Sequence, residues 1–360
     1  MKTMIPVMLL ALLPAASLGF GYLDLHGPGS PLPGFTARSM ALGGMRSIGL
    51  EDGSSVLTNP SGMCRVPGTV VTVSFGPGIG SAMVLDSLGE SENNWLSLST
   101  LFAGISVPVS SDLSVGAAVG KVTDFSYDYT HYTYEFGTSS FLSEIRDLRV
   151  TGGMYESVGG LSYGITDWLK MGLSAGVRFG SANYDSSYTD KNNPDNDTTL
   201  TWQRDFSGFC WHGGLELPFE SALIGLSWAS EDDDYPARAA AGGLLFTDET
   251  RRGFVGAEVE LGDPGGRNST DIRLFGSAFL YETFEMIGSL SFGSPNYENV
   301  ETGTTLGLSL GAGVHLGRVE IDAGFSWASL GRDSLALAPG KPDELKDSQV
   351  LMSFGFTWRP

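Results

Sequence analysis

The chain has 360 residues and sets 21 Lys and Arg against 41 Asp and Glu, a formal net charge of −20. This balance excludes an electrostatic nucleic-acid binder, because nothing is present to neutralise phosphate. An apolar content of 41% argues against disorder, and beyond the first residues no run of 18 apolar residues could form a membrane helix. Abundant glycine (50 residues), 11% aromatics and only 17% charged residues suit an all-β chain, including one that faces lipid.

The N-terminus reads as an export signal over residues 1–19. Lys2 gives a basic start, the stretch from Ile5 to Leu13 is apolar, and Ala15, Ala16, Ser17 and Gly19 are small. A buried helix is the alternative, which Pro6 and Pro14 disfavour. No cysteine follows the apolar run, so a lipid anchor is not expected. The exported chain carries only Cys64 and Cys210, too few for a disulfide framework. In an oxidising compartment those two could pair.

Residues 20–67 come next and are not strand-like. Gly43 and Gly44 allow close approach of backbone to backbone. Asp52 is placed to cap a short helix running through Thr58. Pro60 should stop that helix at Asn59, whose side chain can bond the turn and tolerate an unusual backbone conformation. Taken alone, this is an ordinary Asn-Pro turn after a helix.

From residue 68 to 360 the chain alternates with period two, the signature of strands with unlike faces. Leu169, Met171, Leu173, Ala175, Val177 and Phe179 share one face; Lys170, Gly172, Ser174, Gly176, Arg178 and Gly180 share the other. A second example sets Leu306, Leu308, Leu310, Ala312, Val314 and Leu316 against Gly307, Ser309, Gly311, Gly313 and His315. A solvated face would carry more charge. Gly and Ser instead suit a crowded barrel interior, with the apolar face turned to lipid.

Fourteen strands are expected, starting near residues 70, 96, 113, 149, 169, 200, 223, 237, 253, 271, 286, 304, 319 and 349. An even number is what single-chain bacterial barrels require. Tight turns after even strands should alternate with long polar loops at 76–94, 128–147, 185–199, 294–303 and 329–348. The near-equal connections 231–236 and 247–252 leave the count open by two. Acidic stretches in the loops (Glu90 and Glu92, residues 190–197, residues 231–234) are read as solvated; 190–197 lacks the glycine and closing Glu of a calcium loop.

Residues 37–63 read Ala-Arg-Ser-Met-Ala-Leu-Gly-Gly-Met-Arg-Ser-Ile-Gly-Leu-Glu-Asp-Gly-Ser-Ser-Val-Leu-Thr-Asn-Pro-Ser-Gly-Met. This resembles the N-terminal signature of FadL-type outer-membrane transporters of long-chain fatty acids and hydrocarbons. There, an Ala-Arg…Met-Gly-Gly segment precedes an acidic residue and an Asn-Pro-Ala-Gly. The resemblance implies a transmembrane antiparallel β-barrel of about 14 strands in the bacterial outer membrane, plugged by residues 20–67. It marks Gly43, Gly44, Asp52, Asn59, Pro60, Ser61 and Gly62 as the hatch motif. The implied partners are outer-membrane lipid, a hydrophobic small molecule, and the assembly machinery that reads an aromatic C-terminal strand. Trp358 fits that role, two residues short of the terminus.

Catalytic signals are weak. G-x-S-x-G occurs around Ser162, Ser174 and Ser309, but inside alternating strands and not at the strand-turn-helix that a nucleophile elbow needs. No His/Cys spacing makes a zinc site, and no cofactor is expected. The inferred lumen phase holds Arg178, His212, Glu258, Arg273, Phe275, Phe279, His315 and Glu320, with Lys170 and Asp322 as further inward charges. Tyr127, Tyr129, Tyr132 and Tyr134 read as an interfacial aromatic girdle, or as a ligand stack. The expected function is passive uptake of hydrophobic small molecules. An anchor or shuttle for surface proteins is the alternative, and an outer-membrane hydrolase a third.

Overall fold

A computed structural model describes residues 30–86, 89–136, 140–230, 237–247, 253–262, 269–294, 305–338 and 341–360. The signal segment 1–19 and the first ten residues of the expected hatch, 20–29, lie outside these residues. So do the acidic stretch 231–234 and nearly all of the 294–303 loop.

Sixteen strands form one antiparallel sheet. β1 (Ser30–Pro31) is a two-residue bridge to β4. The wall starts with β2 (Val70–Asp86), β3 (Gly89–Pro108) and β4 (Leu113–Asp124). Among the described residues, β5 (Tyr127–Phe136) pairs with β6 (Ser140–Thr166) alone. The wall continues through β7 (Leu169–Asp190), β8 (Thr198–Pro218), β9 (Ala222–Ala229), β10 (Arg238–Phe246), β11 (Phe254–Gly262) and β12 (Ser269–Tyr281). It ends with β13 (Phe284–Ser294), β14 (Thr305–Leu316), β15 (Val319–Ala338) and β16 (Lys341–Trp358). Pairing of β16 with β2 and of β4 with β6 closes the ring. Leaving out β1 and β5, the wall has the fourteen strands expected, including β9, β10 and β11, where the count was open.

The face assignment holds. Met171, Leu173, Val177 and Phe179 are exposed, while Ser174 and Arg178 between them are buried. On β16, Met352, Phe354, Phe356 and Trp358 point out while Leu351, Ser353 and Thr357 point in. Trp168, Phe219, Tyr281 and Trp358 are all exposed at the end that carries the short turns, as an interfacial belt would be. The Gly317–Arg318 turn puts Gly317 at φ +67°, a region costly for any residue with a Cβ.

The long loops are not as expected. The described residues of segments 76–94, 128–147 and 329–348 are almost wholly strand. In 185–199 only residues 191–197 leave the ladder. Antiparallel neighbours keep pairing past the bilayer because each extra residue satisfies a backbone donor and acceptor. β6, β7 and β8 reach 27, 22 and 21 residues, whereas roughly 9–11 suffice for one crossing. Within 190–197, the Asp190 carboxylate accepts from the Asn192 and Asn193 amides and from the Asn196 side chain. This is an internal loop lock with exposed acids, in keeping with the solvated reading.

With every wall strand hydrogen-bonded into a ring, the barrel should survive SDS at room temperature and unfold only on boiling. Unheated and boiled samples are expected to migrate differently on a gel; equal migration would contradict the closed wall.

Candidate functional site

The site is built where residues 32–66 meet the inward face of the wall. Their elements are short. α1 (Ala37–Ala41) carries a capping box at Thr36 and ends at Leu42. Gly43 and Gly44 follow at φ +70° and +77°, and their amides return to the Met40 and Ser39 carbonyls. A Cβ at Gly44 would overlap the Pro33 carbonyl, so glycine is required there both by conformation and by space.

Asp52 is a cap, as expected, with its Oδ1 accepting from the Ser54 amide at 2.8 Å. The helix it starts is only a 3₁₀ turn, Gly53–Val56, and does not run to Thr58. Pro60 stops nothing. It opens a second 3₁₀ turn, Pro60–Arg65, for which Asn59 is the cap. Proline suits a first helical position, where no amide hydrogen is needed. Asn59 has ordinary extended backbone (φ −133°), so its tolerance of unusual conformations is not used. Its side chain explains the residue. Nδ2 donates to the carbonyls of Ser47 (2.5 Å) and Leu226 on β9 (3.1 Å), and Oδ1 accepts from the amide and hydroxyl of Ser61. One buried amide thus ties two stretches of the segment to the wall.

Wall glycines receive this motif. A Cβ at Gly172 on β7 would overlap the Pro60 backbone, and one at Gly214 on β8 would overlap the Asn59 side chain. Gly49 and Gly62 pack against each other in the same way. The serines of the three G-x-S-x-G matches sit in strands. Ser162 donates to the Ser61 carbonyl (3.0 Å), Ser174 to the Val56 carbonyl (2.7 Å), and Ser309 to Ser326 (3.0 Å).

Ion pairs fix the segment around the ring. Arg38 binds Glu285 on β13 through both its terminal nitrogens (2.6 and 2.7 Å) and Glu320 on β15 at 2.9 Å. Glu258 on β11 accepts from the Arg46 amide (2.9 Å) and from the amide and hydroxyl of Ser47 (both 2.6 Å). Arg65 binds Glu216 on β8 at 2.8 Å and Glu51 at 3.0 Å. Of the expected lumen residues, Glu258 and Glu320 therefore touch the segment directly. Arg273 pairs within the wall with Glu258 and Glu260. Arg178 and His212 both bind Glu156, at 2.6 and 2.9 Å. His315 bonds Glu285 at 3.1 Å and lies 5.1 Å from the Phe279 ring. Lys170 donates to the Cys64 carbonyl. The two cysteines are not bonded to each other: Cys64 lies against Ser162 and the Asp112 carbonyl, while Cys210 is buried on β8.

Three apolar clusters separate the polar contacts among the described residues, the smallest joining Leu32 and Met40 to Leu351. Phe275 joins Leu42, Met45, Ile48, Leu223, Leu244 and Ile287. The largest cluster joins Phe35, Val56, Leu57 and Met63 of the segment to Phe102, Val122, Phe125, Met154 and Phe206 of the barrel. Phe125 and Phe206 stack at 4.7 Å. Tyr127 belongs here, buried 4.8 Å from Trp95, and so is not part of a girdle; Tyr132 and Tyr134 are exposed.

This cluster reaches the wall where the wall is interrupted. β3 pairs with β4 only from Phe102↔Gly120 to Pro108↔Ser114. Past Gly120, β4 leaves β3 and takes β1 as its partner, with Ser30 opposite Asp124. Lys121 spans the divergence. Its ammonium donates to the Leu98 carbonyl of β3 at 2.8 Å and pairs with Asp124 at 3.1 Å.

Reasoning from sequence missed Glu156, Glu216, Glu260 and Glu285 on the wall, and Arg38, Arg46 and Arg65 on the segment. The available signal was sparse charge: acids on otherwise small-residue inward faces, and three arginines in an otherwise sparsely charged stretch.

An apolar exterior, fourteen strands and a lumen faced with small residues define a transmembrane β-barrel. No family model and no curated protein matches the sequence. The fold is nonetheless similar to solved structures. A FadL homologue from Pseudomonas aeruginosa superimposes with a TM-score of 0.70 at 10% identity, over 92% of this chain and 99% of that one. The toluene transporter TodX of P. putida gives 0.67 at 13% identity, over 91% and 99%. The toluene transporter TbuX of Ralstonia pickettii gives 0.58 at 14%, again over 91% and 99%. The fold is thus that of the FadL-type barrels.

Proposed function

We propose that the protein is an outer-membrane channel for passive uptake of hydrophobic small molecules, with residues 32–66 as its hatch. The observation that carries this reading is the apolar cluster between the segment and β3–β8, which meets the wall at the β3–β4 divergence. A solute of low polarity can replace side-chain contacts there without leaving a buried donor or acceptor unpaired. The interruption offers it a sideways exit, and the small-residue lining leaves little room for an aqueous column. The fold shared with structures described as toluene transporters agrees with a solute of the hydrocarbon or long-chain fatty acid class. The seated hydroxyls of Ser162 and Ser174 hold segment backbone and that of Ser309 bonds Ser326, which favours a conduit over a hydrolase.

Binding tests this reading. In lipid nanodiscs, a long-chain fatty acid or alkylbenzene should quench the buried Trp95 in a saturable way. Replacing Phe125 and Phe206 with alanine removes the stacked pair and should weaken binding about tenfold, or 1.4 kcal/mol. Quenching that does not saturate, or that ignores the double variant, would place the solute elsewhere.

A further inference from the structure

At the end of the barrel that carries the short turns, three strands bring four candidate ligands together. Glu285 on β13 and Asp322 on β15 stand directly across from Gly313 on β14, and the next row pairs His315 with Glu320. Gly313 has no side chain, so a notch is left between two carboxylates. The position its Cβ would take lies 2.7 Å from Asp322 Oδ1, 3.5 Å from His315 Nε2 and 3.6 Å from Glu285 Oε2. Ligand atoms of Glu285, His315 and Glu320 all fall within 4.8 Å of one another. Asp322 is only 4% exposed, yet its Oδ1 has no hydrogen-bond partner. A buried carboxylate oxygen left unpaired and aimed into a notch is costly unless something else fills it.

We propose that Glu285, His315, Glu320 and Asp322 form a binding site for a divalent transition-metal cation, and that the cation and the Arg38 guanidinium are alternative occupants. Three carboxylates and one imidazole form a borderline-hard donor set of the kind zinc and manganese accept. Arg38 now holds Glu285 and Glu320, and Arg359 holds Glu320 at 2.7 Å. The Arg38 nitrogens already occupy both carboxylate oxygens of Glu285 and Oε1 of Glu320, the atoms an ion would need. Shared ligand atoms therefore favour exchange, and the cation would release the Arg38 anchor of α1. His315 and Arg359 are only partly buried, so an ion can reach the cluster from that end.

The test is calorimetric titration of the full chain in detergent with Zn²⁺, and needs no transport step, so its result is independent of what the barrel conducts. One saturable site per chain is expected. Asp322→Asn and Gly313→Ala should each weaken it about tenfold or more, the first by removing a ligand and the second by filling the notch. Arg38→Gln should tighten it by removing the competitor. Heat-shifted migration checks that each variant is folded, and His315→Gln replaces Asp322→Asn if the latter does not fold. Absence of saturable binding would overturn the proposal, as would binding that ignores Asp322 and Gly313. Binding that is not tightened by Arg38→Gln would overturn the exchange.

Discussion

Deleting residues 32–66 is expected to turn a barrel that passes little steady current into an open, cation-selective pore. In the intact chain, backbone and side chains of the segment hydrogen-bond to β2, β6–β9, β11, β13 and β15, so the segment lies across the lumen. Removing the segment also removes Arg38, Arg46 and Arg65. Glu216, Glu258, Glu285 and Glu320 stay on the wall and lose cationic or amide donors. A water-filled lumen ringed by unneutralised carboxylates attracts cations, most strongly at low salt. Planar-bilayer recordings should show a large conductance increase, with a reversal potential in a salt gradient that reports cation preference. A deletion variant that folds and stays silent would mean that the wall itself closes the lumen.

Glu258→Ala should have the second-largest effect, on how firmly the segment is held. Glu258 is fully buried and accepts from Arg46, twice from Ser47, and from Arg273 at 2.6 Å. Truncating it strands two backbone amides and one hydroxyl, and leaves Arg273 with Glu260 as its close partner. Removing one member of a buried, hydrogen-bonded charge network costs about 3–5 kcal/mol. Because the wall ladder is independent of this contact, heat-shifted migration should be unchanged. The loss should appear instead as faster hydrogen exchange at the amides of Arg46 and Ser47, and as intermittent conductance. Unchanged exchange there would show that Glu258 does not hold the segment.

Much of the fold was legible because period-two alternation directly reports which face meets lipid. Every wall strand was placed, since a one-residue slip would turn Phe354 or Leu173 inward. What failed was local. The extensions of β6–β8 carry polar residues on both faces outside the bilayer, so alternation fades there although pairing continues. β5 was hidden within the expected 128–147 loop for the same reason. Asn59 and Pro60 were read as a helix stop because Pro disfavours helix before it. The chain uses the other property of proline, a helix start, and only the tertiary contacts with Ser47 and Leu226 decide between them. The lumen charges that escaped, Glu156, Glu216, Glu260 and Glu285, each sit among small or apolar neighbours on their strands and find their partners on other strands or on the segment. Glu285, His315, Glu320 and Asp322 meet through register on three strands, which no linear spacing displays.

Uptake is the most direct measurement of the central claim. Cells whose only barrel of this type is this chain would be given a labelled long-chain fatty acid and, separately, a labelled alkylbenzene, beside a polar solute of similar size. The apolar label should enter without an energy source and faster than in cells lacking the barrel. It should slow when Phe125 and Phe206 are both alanine, and the polar solute should not follow it. Equal entry with and without the barrel, or entry of the polar solute alongside the apolar one, would contradict the account.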